Sequence, residues 1–169
     1  MTHLRILVTG GVKSGKSRLA EKLAFSIPGT DLPIYLATTE FTEDPELQQR
    51  IALHRQQRAG RFVTIEEGLW LHQKLPKEPR IVLVECLTMW LNNLLHHGHD
   101  EEWAFSELEA LWNSPNQFVL VLNEVGLGIV PTNPLARRFA DLSGIVGQWL
   151  GERCDQVFLC AAGLPLQLK

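Results

Sequence analysis

The stretch Leu4 to Phe25, LRILVTGGVKSGKSRLAEKLAF, constrains this chain more than any other, because it reads as strand, glycine turn and helix in immediate succession. Ile6, Leu7 and Val8 make a short apolar run before the turn, and Leu19, Ala20, Leu23 and Ala24 recur at helical spacing after it. Between them Gly10, Gly15, Lys16 and Ser17 fit G-x-x-x-x-G-K-[ST]. In that pattern the turn's N–H groups cradle phosphates, the lysine reaches the β and γ groups, and the hydroxyl ligates Mg²⁺. Glycine at 10, 11 and 15 is expected to take positive φ, so that the main chain can approach an anion without a Cβ in the way. The loop Gly10, Gly11, Val12, Lys13, Ser14, Gly15, Lys16 and Ser17 is therefore the expected seat of a nucleoside triphosphate.

A chain of 169 residues, 45% of them hydrophobic, can bury a sizeable core and is expected to form one domain over 1–169. Apolar runs at 33–37, 62–65, 80–86, 117–122 and 157–161 read as strands, the last of them closing the sheet. Helical patterns fall at 43–57, 69–75, 88–97, 101–112 and 135–153. Strand and helix alternate, which predicts a three-layer α/β fold with a mostly parallel central sheet. A formal net charge of −3 gives no footprint for nucleic acid, and no apolar run approaches a membrane span. With no signal peptide ahead of the first strand, a cytoplasmic protein is expected. Cys86, Cys154 and Cys160 are odd in number and widely spaced, so they read as core residues rather than a disulfide or zinc framework.

The strand ends carry the chemistry, because ligands of open α/β sheets sit outside the carboxyl ends of the strands. Glu85 closes the run RIVLVE, where P-loop proteins keep a carboxylate for the Mg²⁺ shell. Ser17 and Glu85 are thus the candidate metal residues. Thr38 and Thr39 end the second strand, either to reach the nucleotide or simply to cap the next helix. Asn123 to Gly128 is polar and glycine-rich at another strand end. His54 shares a helical stripe with Leu47 and Ile51, and a lone histidine there is ordinarily structural. Arg55, Arg58 and Arg61 come after it, either to hold phosphates or as a solvated basic helix end. The histidines of HHGH (His96, His97, His99) suit a helix C-terminus better than a metal site.

Taken in order, LVTGGVKSGKSR, YLATT, RIALHR, LVECLTMWLNNLL, NEVGLGIVP, LARRFAD and VFLCAAGLPLQLK resemble the bifunctional adenosylcobinamide kinase/adenosylcobinamide-phosphate guanylyltransferases of cobalamin biosynthesis, over nearly the whole chain. The resemblance implies a RecA-like sheet and two reactions at one P-loop, using ATP or GTP with Mg²⁺. These are phosphorylation of the corrinoid's aminopropanol hydroxyl, then transfer of GMP to that phosphate through a guanylyl-histidine. It makes His54 the nucleophile, with Lys16 as the catalytic cation. It assigns nucleotide contacts to Gly10 through Ser17, Thr38, Thr39, Arg55, Arg58, Glu66 and Glu85. It also implies a homo-oligomer, a trimer, acting on a small-molecule corrinoid. This chain has Leu53 where the family often has a second histidine.

Two other classes compete. A P-loop small-molecule kinase without guanylyltransferase activity would share the loop and Glu85 but leave His54 without a role. A regulatory GTPase would need a guanine-reading N-K-x-D, which the sequence lacks.

Overall fold

A computed structural model describes residues 3–29, 31–40 and 45–169; the side chains of residues 46, 47, 50, 54 and 57 lie outside the described set. Its strands are β1 (Arg5–Gly10), β2 (Ile34–Ala37), β3 (Val63–Glu66), β4 (Ile81–Glu85), β5 (Gln117–Asn123), β6 (Gln156–Ala161) and β7 (Leu164–Gln167). Its helices are α1 (Lys16–Ser26), α2 (Pro45–Arg58), α3 (Leu87–His96), α4 (Glu101–Trp112) and α5 (Pro134–Arg153). The sheet runs β3-β2-β4-β5-β1-β6-β7. Every pairing is parallel except β6 with β7. This is a three-layer α/β architecture with a mostly parallel central sheet, as the alternation of strands and helices implies.

The parallel strands are apolar on both faces because both faces are covered. Leu7, Leu36, Val82, Val84, Leu120 and Leu122 turn toward α3, α4 and α5, meeting Trp90, Leu94, Leu108, Val146 and Leu150. Their chain neighbours Ile6, Val8, Tyr35, Leu83, Val119 and Val121 turn the other way, toward Ala20 and Ala24 of α1. Cys86, Cys154 and Cys160 are buried and unbridged, as their scatter along the sequence suggested.

Two differences from the sequence-based expectation have clear causes. β7 is an extra strand, paired antiparallel with β6 through a tight turn at Ala162 and Gly163, whose φ values are 51° and 81°. Its Pro165 argues against a central strand but is tolerated on an edge, where one row of N–H groups has no partner strand. The pattern at 69–75 condenses to a single 3-10 turn, Leu71–Lys74, held from outside. Buried Glu107 on α4 accepts from the His72 N–H at 2.7 Å and pairs with His72 Nδ1 at 2.7 Å. The helix expected over 43–57 begins at Pro45 among the described residues, and position 43 lies outside them.

Candidate functional site

β1 ends at Gly10 with φ 141°, and a Cβ there would run into the carbonyl oxygen of Cys160 on β6. Only glycine lets the chain turn this close to the neighbouring strand. The turn needs positive φ again at Lys13 (54°) and Gly15 (98°). Positive φ at Gly11 was expected and is not found. Lys13 takes the left-handed conformation in its place, while Gly11 faces open space.

Gly15 precedes α1 without any side-chain cap, whereas Asp100 caps α4 and Asn133 caps α5. The first N–H groups of α1 are thereby left for an anion, with the helix dipole behind them. Lys13, Ser14, Gly15, Lys16, Ser17 and Arg18 line an open depression of ≈ 260 Å³ at this point. Val12 stands 82% exposed on its rim.

Lys16 is buried, and its Nζ donates to the Gly11 carbonyl at 2.5 Å. Burial pushes its pKa below the ordinary lysine value, and the nearby Glu85 opposes that shift. Ser17 Oγ donates to Glu85 Oε1 at 2.8 Å. Burial raises the Glu85 carboxyl to about 7, against the pull of the Ser17 hydrogen bond and of Lys16. Among the described residues, Ser14 Oγ, in the loop itself, and Glu85 Oε2, on the carboxyl that Ser17 meets, are buried without a hydrogen-bond partner. An orphaned hydroxyl and an orphaned carboxylate oxygen beside a lysine suit a phosphate and a hard cation, whose donor set is oxygen.

The other strand ends gather along the same edge. Glu66 of β3, Ala37 of β2 and Glu85 of β4 stand opposite one another in a row. Arg55 on α2 grips Glu66 with two hydrogen bonds of 2.6 Å, from Nε and Nη2. The residue before it is His54. Its backbone belongs to α2, but its side chain, and with it the expected inward-facing stripe with Leu47, lies outside the described residues. One turn further on, buried Arg58 stacks its guanidinium 4.0 Å over the Tyr35 ring, so this cation is part of the core and not of a solvated helix end. Arg61 pairs instead with Glu21 of α1 at 2.9 Å.

Thr38 is 0% exposed, and its hydroxyl donates to Cys86 O at 2.7 Å and accepts from Cys86 N at 2.9 Å. Asn93 Nδ2 donates to the Thr38 carbonyl at 2.7 Å. Thr38 thus ties β2 to the chain just after Glu85, and its hydroxyl is spent on that tie. Thr39, next in the chain, is half-buried. At the end of β5, Asn123 N donates to Thr88 Oγ1 and Glu124 N to Gly10 O, beyond which Leu127 and Ile129 stand bare. His97 pairs with Glu40 at 3.0 Å, and no His/Cys/Asp/Glu cluster fit for a metal occurs among the described residues.

Sequence reasoning missed Tyr35, which underlies Arg58, and the β6–β7 turn. Gly163 N donates to Ser14 O at 3.0 Å, so the last hairpin buttresses the phosphate loop. Its only sequence signal was the glycine after a strand run.

Comparison with known proteins gives this arrangement its family. The family model described as cobinamide kinase / cobinamide phosphate guanyltransferase matches residues 6–168. The bifunctional adenosylcobalamin biosynthesis protein CobP of Pseudomonas aeruginosa is 41% identical, over 98% of this chain and 98% of its own length. The bifunctional adenosylcobalamin biosynthesis protein CobU of Escherichia coli is 37% identical, over 98% of this chain and all of its own. Among solved structures, the flagellar accessory protein FlaH from Methanocaldococcus jannaschii superposes with a TM-score of 0.50 over 99% of this chain and 78% of that one. At 14% identity it speaks for the fold alone. No helix among the described residues is long and apolar enough to cross a membrane. This chain belongs to the cobinamide kinase / cobinamide phosphate guanyltransferase family.

Proposed function

We propose that this chain, acting as a single catalytic unit, phosphorylates adenosylcobinamide with ATP or GTP and then transfers GMP from GTP to adenosylcobinamide phosphate. The products of the second step are adenosylcobinamide-GDP and pyrophosphate. The observation that carries the proposal is the loop Gly10–Ser17 with buried Lys16 beside the Ser17–Glu85 hydrogen bond, in a chain that matches the bifunctional family from residue 6 to 168.

In the kinase step the corrinoid hydroxyl attacks Pγ and the diphosphate leaves. Lys16 and the loop N–H groups neutralise the charge that builds on the leaving oxygens. In the second step the same groups serve a leaving pyrophosphate. His54 attacks Pα, forming an N–P bond as the Pα–O bond to pyrophosphate breaks. An oxygen of the corrinoid phosphate then attacks that phosphorus, and the P–N bond returns its electrons to the imidazole. Ser17 and Glu85 would hold Mg²⁺, which supplies further neutralisation of the phosphates when bound. Arg55, Arg58, Thr38, Thr39 and Glu66 belong to the nucleotide side of the site in this reading, Arg58 and Thr38 by holding its walls. The protein would work in the cytoplasm as a homo-oligomer, a trimer by family likeness.

Incubation with α-labelled GTP and Mg²⁺ should leave label on the protein, whereas γ-labelled GTP should not. The bond should survive alkali and break in acid, as a phosphoramidate does, because protonation makes the imidazole a good leaving group. His54→Ala should lose the label and keep phosphorylating adenosylcobinamide. Label that persists in His54→Ala would place the nucleophile elsewhere and return His54 to a structural role, whereas label absent from the unaltered protein would leave the plain kinase reading in its place.

A further inference from the structure

We propose that Asn93 is a positioning residue for the guanylyl-transfer step: from α3 its amide fixes the ends of β2 and β3, and with His97 it anchors the segment that leads into α2 and His54. The inference rests on the reading of His54 as the nucleophile and adds to it what holds that helix at its root.

The ladder between β2 and β3 stops at Ala37 and Glu66, and one further backbone bond runs from Glu67 N to Ala37 O at 3.0 Å. Beyond that point a side chain joins the two strand ends. Asn93 is buried, and its Nδ2 donates to the Thr38 carbonyl at 2.7 Å and to the Gly68 carbonyl at 3.1 Å. An amide NH₂ carries two donors in a fixed plane, so the separation of the two segments follows its geometry.

Glu40 closes the same knot. His97 lies one turn after Asn93, whose carbonyl accepts from its N–H at 2.9 Å. Its Nε2 stands 3.0 and 3.1 Å from the two carboxylate oxygens of Glu40. A Cβ on Gly68 would run into Cγ and Oε1 of Glu40, so that side chain lies in space which only a glycine leaves open. Residues 41–44 join Glu40 to Pro45, the first residue of α2, and a link this short ties the start of the helix to the knot.

The other end of α3 is held as well. Thr88, in its first turn, accepts from Asn123 N at the end of β5 at 2.6 Å. Five residues of helix, about 7.5 Å of rise, separate Thr88 from Asn93. β5 pairs with β4, the strand that ends in Glu85, so one rigid element spaces the phosphate side of the edge from the ends of β2 and β3.

The two reactions depend on this spacing unequally. Attack at Pγ uses the phosphate loop, Lys16 and the Ser17–Glu85 pair, which Asn93 does not touch. Attack at Pα needs the imidazole in line with the departing pyrophosphate, and a misplacement of about 1 Å costs up to about 10²-fold in rate. A loosened Thr38–Glu40 segment therefore falls on guanylyl transfer and spares the kinase step.

Two rates measured on the full chain with one nucleotide test this: label from α-labelled GTP onto the protein, and label from γ-labelled GTP onto adenosylcobinamide, both at saturating GTP and Mg²⁺. Asn93→Leu, similar in size and without donors, should slow protein labelling by about 10- to 100-fold and corrinoid phosphorylation by less than about threefold. Gly68→Ala, which pushes Glu40 aside and leaves Asn93 in place, should give the same split, and it decides alone if Asn93→Leu fails to fold. His96→Ala removes an exposed ring that meets its own helix at Asn92 O, and should change neither rate. Parallel losses in the two reactions, or labelling at the unaltered rate in either variant, overturn the positioning role and leave the guanylyl-histidine standing. An unaltered protein that takes no label removes both.

Discussion

Ser17 Oγ donates to Glu85 Oε1 at 2.8 Å, so the first turn of α1 and the end of β4 are joined across a carboxyl whose other oxygen has no partner. Burial holds that carboxyl at about 7, above its ordinary value of 4.5. The folded state therefore favours the protonated acid. The stability this contributes is complete below about pH 4.5 and is lost as pH rises through 7, by about 3 to 4 kcal/mol for a shift of this size. In nucleotide-free and Mg²⁺-free protein, thermal midpoints should fall between pH 5 and pH 7.5. Glu85→Gln cannot ionise and should show a distinctly flatter profile over that range; equal slopes in the two proteins would rule the assignment out.

Lys16→Ala should depress both half-reactions by about 10² to 10³, because each leaving group loses its principal cation. Parallel assays of corrinoid phosphorylation and of label transfer from α-labelled GTP check this. Near-normal kinase activity would separate the two reactions and refute a shared cradle.

Thr38→Val should cost about 1 to 3 kcal/mol of stability, since it leaves the Cys86 N–H and carbonyl without the hydroxyl that serves both. Denaturant midpoints measure the loss, and nucleotide binding should suffer less than the fold. Unchanged stability with abolished binding would return Thr38 to a direct role at the ligand.

Arg58→Ala should destabilise by about 2 to 3 kcal/mol, through the lost stack on Tyr35 and the lost packing of its buried stem. Arg61→Ala removes a half-exposed partner of Glu21 and should cost under about 1 kcal/mol. Urea unfolding of the two variants should rank them in that order, and a reversal would show that the end of α2 is held mainly by Arg61.

Much of this site was legible in the sequence where function and local geometry coincide. The loop from Gly10 to Ser17 is contiguous, so its spacing alone specifies a cradle, and Glu85 was marked as functional by ending an apolar strand. Arg58 and Thr38 were harder, because whether an arginine or a threonine at an element end meets solvent, ligand or core depends on what another element brings against it. Tyr35 and Cys86 supply those partners from β2 and from the end of β4.

The sequence by itself determined the order of the first six strands and of helices α1 to α5, the phosphate loop and the family, because hydrophobic period, glycine placement and a contiguous motif are local properties of the chain. Only the tertiary structure decided that β7 folds back so that Gly163 braces Ser14. It alone turned Lys13 rather than Gly11 into the left-handed region. It alone aligned Glu66 with Glu85 across β2 and brought Arg55 onto it. Each of these joins residues distant in the chain or sets the strain of a closed turn, and such relationships exist only once the strands have paired and the helices have packed over them.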